Sequence, residues 1–408
     1  MYNVAIGIYA YLIRLAAFFH TKAGKMIKGH RDTFRILEEK IDKNERYIWF
    51  HAASLGEFEQ GRPLMEMLKE KNPEYKILLT FFSPSGYESA KKYTFADIIC
   101  YLPFDFRKNA RRFISIVHPE KAIFIKYEFW YNYLSELKRN AIPVYLVSGI
   151  FRESQIFFRP YGKRYGKVLN NFEHFFLQNK DSEDLLHKKG LFNTSITGDT
   201  RFDRVYRIAQ QRKELPLFEE FAAQKDEKKI LVGGSTWEKD EEILIPYFNA
   251  HPGIKLILAP HEFNKERLED IKKKSKRPVK LYSEIQKDGI ENAEFIIVDC
   301  FGLLSSIYRF GNYAYVGGGF GKSIHNILEA VVYGIPVLFG PKHQKSKEAS
   351  DLIRLQGGFC VHNATEFETR MNDFISYSEL ADTYGKSAGD YVVDNLGATH
   401  KIYEKVFS

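Results

Sequence analysis

From Arg46 to the end of the chain, short apolar strand patterns alternate with amphipathic helix patterns, and little irregular sequence lies between them. A helix that carries the chain back between two strands makes those strands parallel, so this alternation predicts parallel sheets covered by helices on both faces. In the first half, strand patterns fall at 47–51, 76–82, 98–102, 122–125, 144–147, 175–178 and 195–197. Helix patterns fit between them at 59–70, 107–117, 131–140 and 182–189. The second half repeats the theme, with strands at 230–233, 255–258, 279–282, 295–298, 313–316, 337–339 and 359–361. Between 204 and 227 the pattern turns polar and charged, which splits the 408 residues into two α/β domains of ordinary size. Ligands of open α/β sheets bind beyond the carboxyl ends of the strands, so the loops after those strands are expected to face a common cleft.

Composition removes several classes. With 44% hydrophobic residues the chain can bury large cores and is neither disordered nor fibrous. Its three cysteines, Cys100, Cys300 and Cys360, form no C-x-x-C pair, and the His261-Glu262 pair lacks the second histidine of a zincin helix. Neither a disulfide framework nor a metal site is expected. A net charge of +8 favours anionic partners. The aromatics alternate inside strand patterns and do not interleave with a basic stripe, which argues against nucleic acid.

The N-terminus adds an apolar run, 4–19, broken only by Arg14 and followed by Lys22, Lys25, Lys28, Arg31 and Arg35. The run is shorter than the 20 or so residues of a spanning helix, and no basic residue precedes it as a signal peptide requires. The expectation is an uncleaved helix, residues 1–28 with its basic flank, held in or across one leaflet against anionic headgroups. An ordinary buried helix is the alternative.

The loops carry the chemistry. NYAYVGGGFGKSIHNILEAVVYGIPVLFGP, 312–341, reads as strand, glycine loop, helix and strand, with Asn326 and Glu329 placed on the helix. Glycines admit a ligand to the backbone, a helix N-terminus attracts phosphate, and Glu329 is placed to accept from sugar hydroxyls; together these suggest a nucleotide-sugar site. The spacing matches neither a P-loop nor a dinucleotide fingerprint. WFHAASLGEFEQGRPL, 49–64, puts Ser54, Gly56 and Glu57 after the first strand, where Glu57 serves either a capping box or catalysis beside space opened by Gly56. IKYEFWYN, 125–132, puts Glu128 beyond another strand end, and two such carboxylates could position and deprotonate a sugar hydroxyl. TGDTRFDR, 197–204, carries Arg201, which either stabilises a leaving phosphate or makes an interdomain salt bridge. In GGSTWEKDEE, 233–242, Ser235, Thr236 and Trp237 bind phosphate or cap a helix.

Taken in order, SLGEF, YEFW, TGDTRFD, GSTWEKDEE, APHEFNKER, DCFGLL and VGGGFGKSIHNILEA with GIPVLFGP resemble the 3-deoxy-D-manno-octulosonic acid (Kdo) transferases of lipid A assembly. The resemblance covers nearly the whole chain. It implies a GT-B fold, with an acceptor domain at 29–205 and a CMP-Kdo-binding domain at 206–408 whose final helix packs back on the first. It implies inverting, metal-independent transfer of Kdo from CMP-Kdo to the lipid A precursor, lipid IVA, at the cytoplasmic face of the inner membrane, with no cofactor beyond the donor. The general base falls on Glu57 and transition-state stabilisation on Glu128 and Arg201. CMP-binding positions fall on Pro260 and His261, on Phe301, Gly302 and Leu303, and on Asn326, Ile327, Leu328 and Glu329. His261 stands where arginine is frequent in the family, and Leu303 where glutamate is. The rival readings are a UDP-sugar lipid glycosyltransferase and a nucleotide-sugar epimerase of the same fold.

Overall fold

The structure, a computed structural model, describes residues 2–224 and 227–408. Met1 of the N-terminal segment, and Lys225 and Asp226 of the polar stretch between the halves, lie outside the described residues. The chain forms two compact units, one running up to Arg204 and including Leu396–Ser408, the other Val205–Asn395.

The N-terminal unit holds strands β1 (Tyr47–Ala52), β2 (Lys76–Phe81), β3 (Ile98–Tyr101), β4 (Lys121–Ile125), β5 (Val144–Gly149), β6 (His174–Leu177) and β7 (Thr194–Ile196). They pair in the order β3-β2-β1-β4-β5-β6-β7, and every pairing is parallel. In β1, YIWFHA, all six residues are buried, as a central strand covered on both faces requires. Successive side chains divide between the faces: Tyr47 and Trp49 join one core with Phe113, Phe124 and Tyr133, and Ile48 and Phe50 join another with Phe58, Ile77 and Leu79. The second core also takes Ile402, Tyr403 and Val406 from the last helix, Ala398–Phe407. That helix is pinned at its start by Asp203, whose carboxylate accepts from the Gly397 and Thr399 amides at 2.7 Å each and from the Thr399 hydroxyl at 2.6 Å. A carboxylate there satisfies orphan N–H groups and complements the helix dipole.

The C-terminal unit repeats the plan with β8 (Lys229–Thr236), β9 (Ile254–Pro260), β10 (Val279–Leu281), β11 (Phe295–Ile297), β12 (Tyr313–Val316), β13 (Val337–Phe339) and β14 (Gly358–Cys360). Their order is β10-β11-β9-β8-β12-β13-β14, again all parallel. In each sheet the strand order reverses beside the first strand, between β1 and β4 and between β8 and β12. Such switch points leave a crevice at the strand carboxyl ends.

Helix α1 (Tyr2–Ala16) lies on the N-terminal unit, followed by α2 (Thr21–Lys40). One face of α1, with Ile6, Ala10 and Ile13, packs into a cluster with Met26, Phe82 and Phe104. Its first turn is tied down where the Tyr2 hydroxyl donates to Asp105 at 2.6 Å and Asn3 accepts from Asn132 at 2.8 Å. The other face exposes Val4, Ile8, Tyr11 and Leu12, and beyond the helix end Phe18 and Phe19 are 82% and 85% exposed. Fifteen residues rise only about 22 Å. Among the described residues no helix is long and apolar enough to cross a membrane.

Candidate functional site

Beyond β1, helix α3 (Leu55–Lys71) begins at Ser54, and Glu57 stands in its first turn. The Glu57 Oε2 accepts from the Ser54 amide at 2.8 Å and the Ser54 hydroxyl at 2.9 Å, so the capping reading holds for that oxygen. Burial, and then the charge of Glu128, push the Glu57 carboxyl up to about 6, with the Ser54 bonds and His51 opposing the rise. A carboxylate in that range can both keep and lose a proton near neutrality, as a general base does. Capping and basicity therefore reside in one side chain.

Beyond β4 the chain turns at Lys126, which holds the left-handed conformation at φ 65° while its amide bonds Val147 at 2.9 Å. Strain of this kind persists where its surroundings fix it, commonly at sites. Two residues later Glu128 is 7% exposed. Its Oε2 accepts from Trp130 Nε1 at 2.5 Å and faces His51 Nε2 at 3.1 Å. Trp130 in turn packs on Phe82 with ring centroids 4.6 Å apart, which joins the carboxylate pocket to the apolar cluster under α1.

Arg201 opens the helix Thr200–Gln211 and makes a fork on Asp199, at 3.0 Å from Nε and 2.7 Å from a terminal nitrogen. Burial alone would raise the Asp199 carboxyl, but Arg201 and Gln60 hold it below the ordinary carboxylate range. Asp199 accepts from Gln60 at 3.1 Å and the Thr200 hydroxyl donates to the Gln60 carbonyl at 2.5 Å, so Arg201 is anchored beside α3, one turn beyond Glu57.

In the C-terminal unit the crevice is built differently. Strand β8 ends in a bulge at Ser235, φ 52°, and Gly317 sits against it. Gly318, φ 92°, donates its amide to Asp240 at 3.0 Å. The sequence places a helix directly after this loop, but residues 319–327 run as turns and irregular chain and the helix is only Leu328–Val331. The left-handed glycine and the bond to Asp240 turn the chain before a helix can start. Glu329 consequently stands in the first helical turn, with Asn326 donating to it at 3.0 Å. The hydroxyl of Thr236 is committed to the Glu241 carboxylate at 3.0 Å, and the Trp237 amide donates to Asp240 at 2.9 Å as part of the helix cap.

Pro260 ends β9, and His261 stacks on His325 with centroids 4.1 Å apart. Burial, and secondarily His261, lower the His325 pKa to about 4, and its Nε2 accepts from Trp237 Nε1 at 3.1 Å. Phe301 is 77% exposed and stacks on Phe263 at 4.9 Å; Gly302, φ 86°, turns the chain into Leu303, which caps Leu304–Ile307. That segment meets the Glu329 helix through Tyr333, whose hydroxyl donates to Ser305 at 2.7 Å. Beside these residues a cavity of about 710 Å³ is lined by Trp237, Phe263, Arg267, Phe320 and Lys342, among others.

Sequence reasoning passed over His51, read only as strand, and His325 and Trp130, quoted without roles. The signal for His51 was a lone polar ring in the otherwise apolar YIWFHA.

Comparison with known proteins adds the lineage. Residues 29–204 match the family model of the 3-deoxy-D-manno-octulosonic-acid transferases (kdotransferases). The chain is 29% identical over 360 residues to the 3-deoxy-D-manno-octulosonic acid transferase of Aquifex aeolicus, covering 86% of this chain and 92% of that one. It is 22% identical to the enzyme of that name from Chlamydophila psittaci, over 97% and 93% of the two chains. Among solved structures, UDP-GlcNAc 2-epimerase from Neisseria meningitidis superposes with a TM-score of 0.58 at 12% identity, over 86% of this chain and 99% of that one. At that identity the likeness shows the fold, two Rossmann-like units of GT-B type. With the family model on the N-terminal unit and relatives of one name aligned along most of the length, the chain is similar to the Kdo transferases, which are glycosyltransferases.

Proposed function

We propose that this chain transfers Kdo from CMP-Kdo to the lipid A precursor lipid IVA with inversion, Glu57 acting as general base. The observation that carries the reading is the pair of carboxylates at the β1 and β4 ends, one of them raised to about 6 by burial and by the charge of the other. Glu57 takes the proton of the attacking sugar hydroxyl as that oxygen forms its bond to the anomeric carbon. CMP leaves with the electron pair of the broken bond. Glu128 holds the acceptor and stabilises the developing positive charge on the sugar, and Arg201 meets the phosphate.

The C-terminal unit supplies the donor site. Exposed Phe301 offers a face to the base, Glu329 and Asn326 bond the ribose, and the neutral rings of His261 and His325 border the phosphate. The sugar acid takes the adjoining cavity, near Arg267 and Lys342. A monophosphate leaving group develops less charge than a diphosphate, so fixed cations and amides serve without a metal.

The acceptor is a lipid, and the exposed face of α1 together with the basic run on α2 holds the N-terminal unit on an anionic, inner-membrane surface at the cytoplasmic side. The cluster linking α1 through Phe82 to Trp130 fixes α1, and with it the exposed apolar face, on the side of the unit that carries Glu128. Purified protein with CMP-Kdo and lipid IVA in detergent should yield a Kdo-bearing lipid, counted by mass, with turnover unaffected by excess EDTA. UDP-sugar turnover, or product formation without lipid, would favour the rival glycosyltransferase or epimerase.

A further inference from the structure

His51 is fully buried near the end of β1, and its ring is held on both sides. Nε2 lies 3.1 Å from Glu128 Oε2; Nδ1 lies 2.9 Å from the Thr80 hydroxyl and 3.2 Å from the Thr80 carbonyl. Trp49 Nε1 donates to the same hydroxyl at 2.8 Å, which leaves the Thr80 proton for Nδ1 or for the Phe50 carbonyl at 3.3 Å. Phe124 and Trp130 meet the ring edge to face at 5.5 and 5.9 Å.

A carboxylate facing Nε2 selects the proton arrangement. With a neutral ring, the Thr80 hydroxyl donates to Nδ1, so Nε2 carries the hydrogen and donates to Glu128. With a charged ring, Nδ1–H turns to the Thr80 oxygens and Nε2–H still donates to Glu128. The bond to Glu128 therefore survives either state of the histidine. Trp130 donates to the same Oε2, so two N–H groups converge on one carboxylate oxygen, and Oε1 makes no hydrogen bond to the described residues.

We propose that His51 is a positioning residue for transfer, fixing Glu128 so that Oε2 is spent on the protein and Oε1 is presented to the reacting groups. The proposal rests on the role given to Glu128 above. A side chain that orients a reacting carboxylate changes turnover far more than substrate binding, as orienting partners do in other sites.

The test is a double-mutant cycle on the full chain, reading kcat, KM for CMP-Kdo and Tm for His51→Leu, His51→Gln, Glu128→Gln and the His51→Leu/Glu128→Gln pair. His51→Leu keeps volume and removes the donor; kcat should fall about 10²-fold with KM within about threefold. His51→Gln restores a donor and should recover at least about tenfold of that loss, a rescue that core packing alone would not produce. In the double variant the His51 effect should vanish, because nothing is left for the histidine to orient. If the two losses multiply, or if His51→Leu keeps full kcat while Glu128→Gln loses it, the inference is wrong and the reading of Glu128 stands. If Glu128→Gln is fully active, the reading of Glu128 itself fails. Should His51→Leu not fold, Thr80→Val takes its place in the cycle; it removes the hydroxyl that donates to Nδ1 and leaves the carbonyl, so the neutral ring turns its proton to Nδ1 and loses the donor to Glu128, and an unchanged kcat there would overturn the proposal.

Discussion

The two units share one frame and fill it with different electrostatics. In the N-terminal unit the crevice beside β1 is closed by carboxylates, Glu57 and Glu128, buried closely enough that one raises the other. In the C-terminal unit the corresponding crevice beside β8 has glycines against a strand bulge and two stacked histidines, of which His325 is kept neutral by burial. Trp237 donates to the His325 lone pair, a bond that a protonated Nε2 could not accept. A buried negative pair suits taking a proton from a hydroxyl. A neutral ring stack with open glycine backbone suits an anion that must come close and then leave. A parallel α/β frame thus dictates where a site lies and leaves its sign to the loops.

The comparison breaks first at Glu57. Glu57→Gln should lower transfer by about 10² to 10⁴-fold with CMP affinity unchanged, since the base and the nucleotide residues lie in different units. The intact enzyme should lose kcat/KM as pH falls through about 6, because the base must be unprotonated to act. Glu128→Gln removes the second cause of that raised value and should move the acid limb downward. A mutant that stays active but unfolds more easily would return Glu57 to the capping role alone.

How much of this could be read beforehand follows the same division. Strand patterns such as YIWFHA and KILLTF are buried on both faces, so hydrophobicity alone locates them, and the sheets follow from their alternation with helices. Glu57 and Glu128 could be found because each stands directly after such a strand. The stretch after Gly319 could not, because ILEAVV reads as helix locally while Gly318 and its bond to Asp240, 78 residues away in sequence, hold the chain in turns. His51 was hidden for a related reason: its partners Thr80, on β2, and Glu128, in the turn beyond β4, appear only once β1 lies between β2 and β4.

Two glycines sharpen the contrast with a smaller effect. A Cβ on Gly317 would lie 2.3 Å from the Ser235 carbonyl oxygen and 2.7 Å from Thr236 Cα, backbone atoms that cannot step aside. Gly317→Ala should cost about 1–3 kcal/mol and weaken CMP binding with it, seen by calorimetric titration. Gly56, in the first turn of α3, would meet nothing within 4 Å. Gly56→Ala should raise stability by about 0.5–1 kcal/mol while lowering activity, if the space beside Glu57 is occupied by substrate. Equal stability changes at both positions would remove the distinction between a packed glycine and an open one.

The smallest effect tests the carboxylate pair without any substrate. The Glu57 carboxyl rises from an ordinary 4.5 to about 6 on folding, first through burial and then through Glu128. A raised value means that the folded chain holds this proton more tightly than the unfolded chain. Its contribution is therefore fully present below about pH 4.5 and is lost as pH rises to about 6, to a limit of about 2 kcal/mol before solvent screening reduces it. Glutamine carries no such proton and still accepts from the Ser54 amide, so the cap survives the substitution. The Tm of Glu57→Gln relative to the parent should climb between pH 4.5 and 6 and level off above that, while Glu57→Gln made in a Glu128→Gln background should show a smaller climb. Equal climbs in the two backgrounds would mean that the two carboxylates do not feel each other, and the crevice of the N-terminal unit would lose the property that sets it apart from its counterpart.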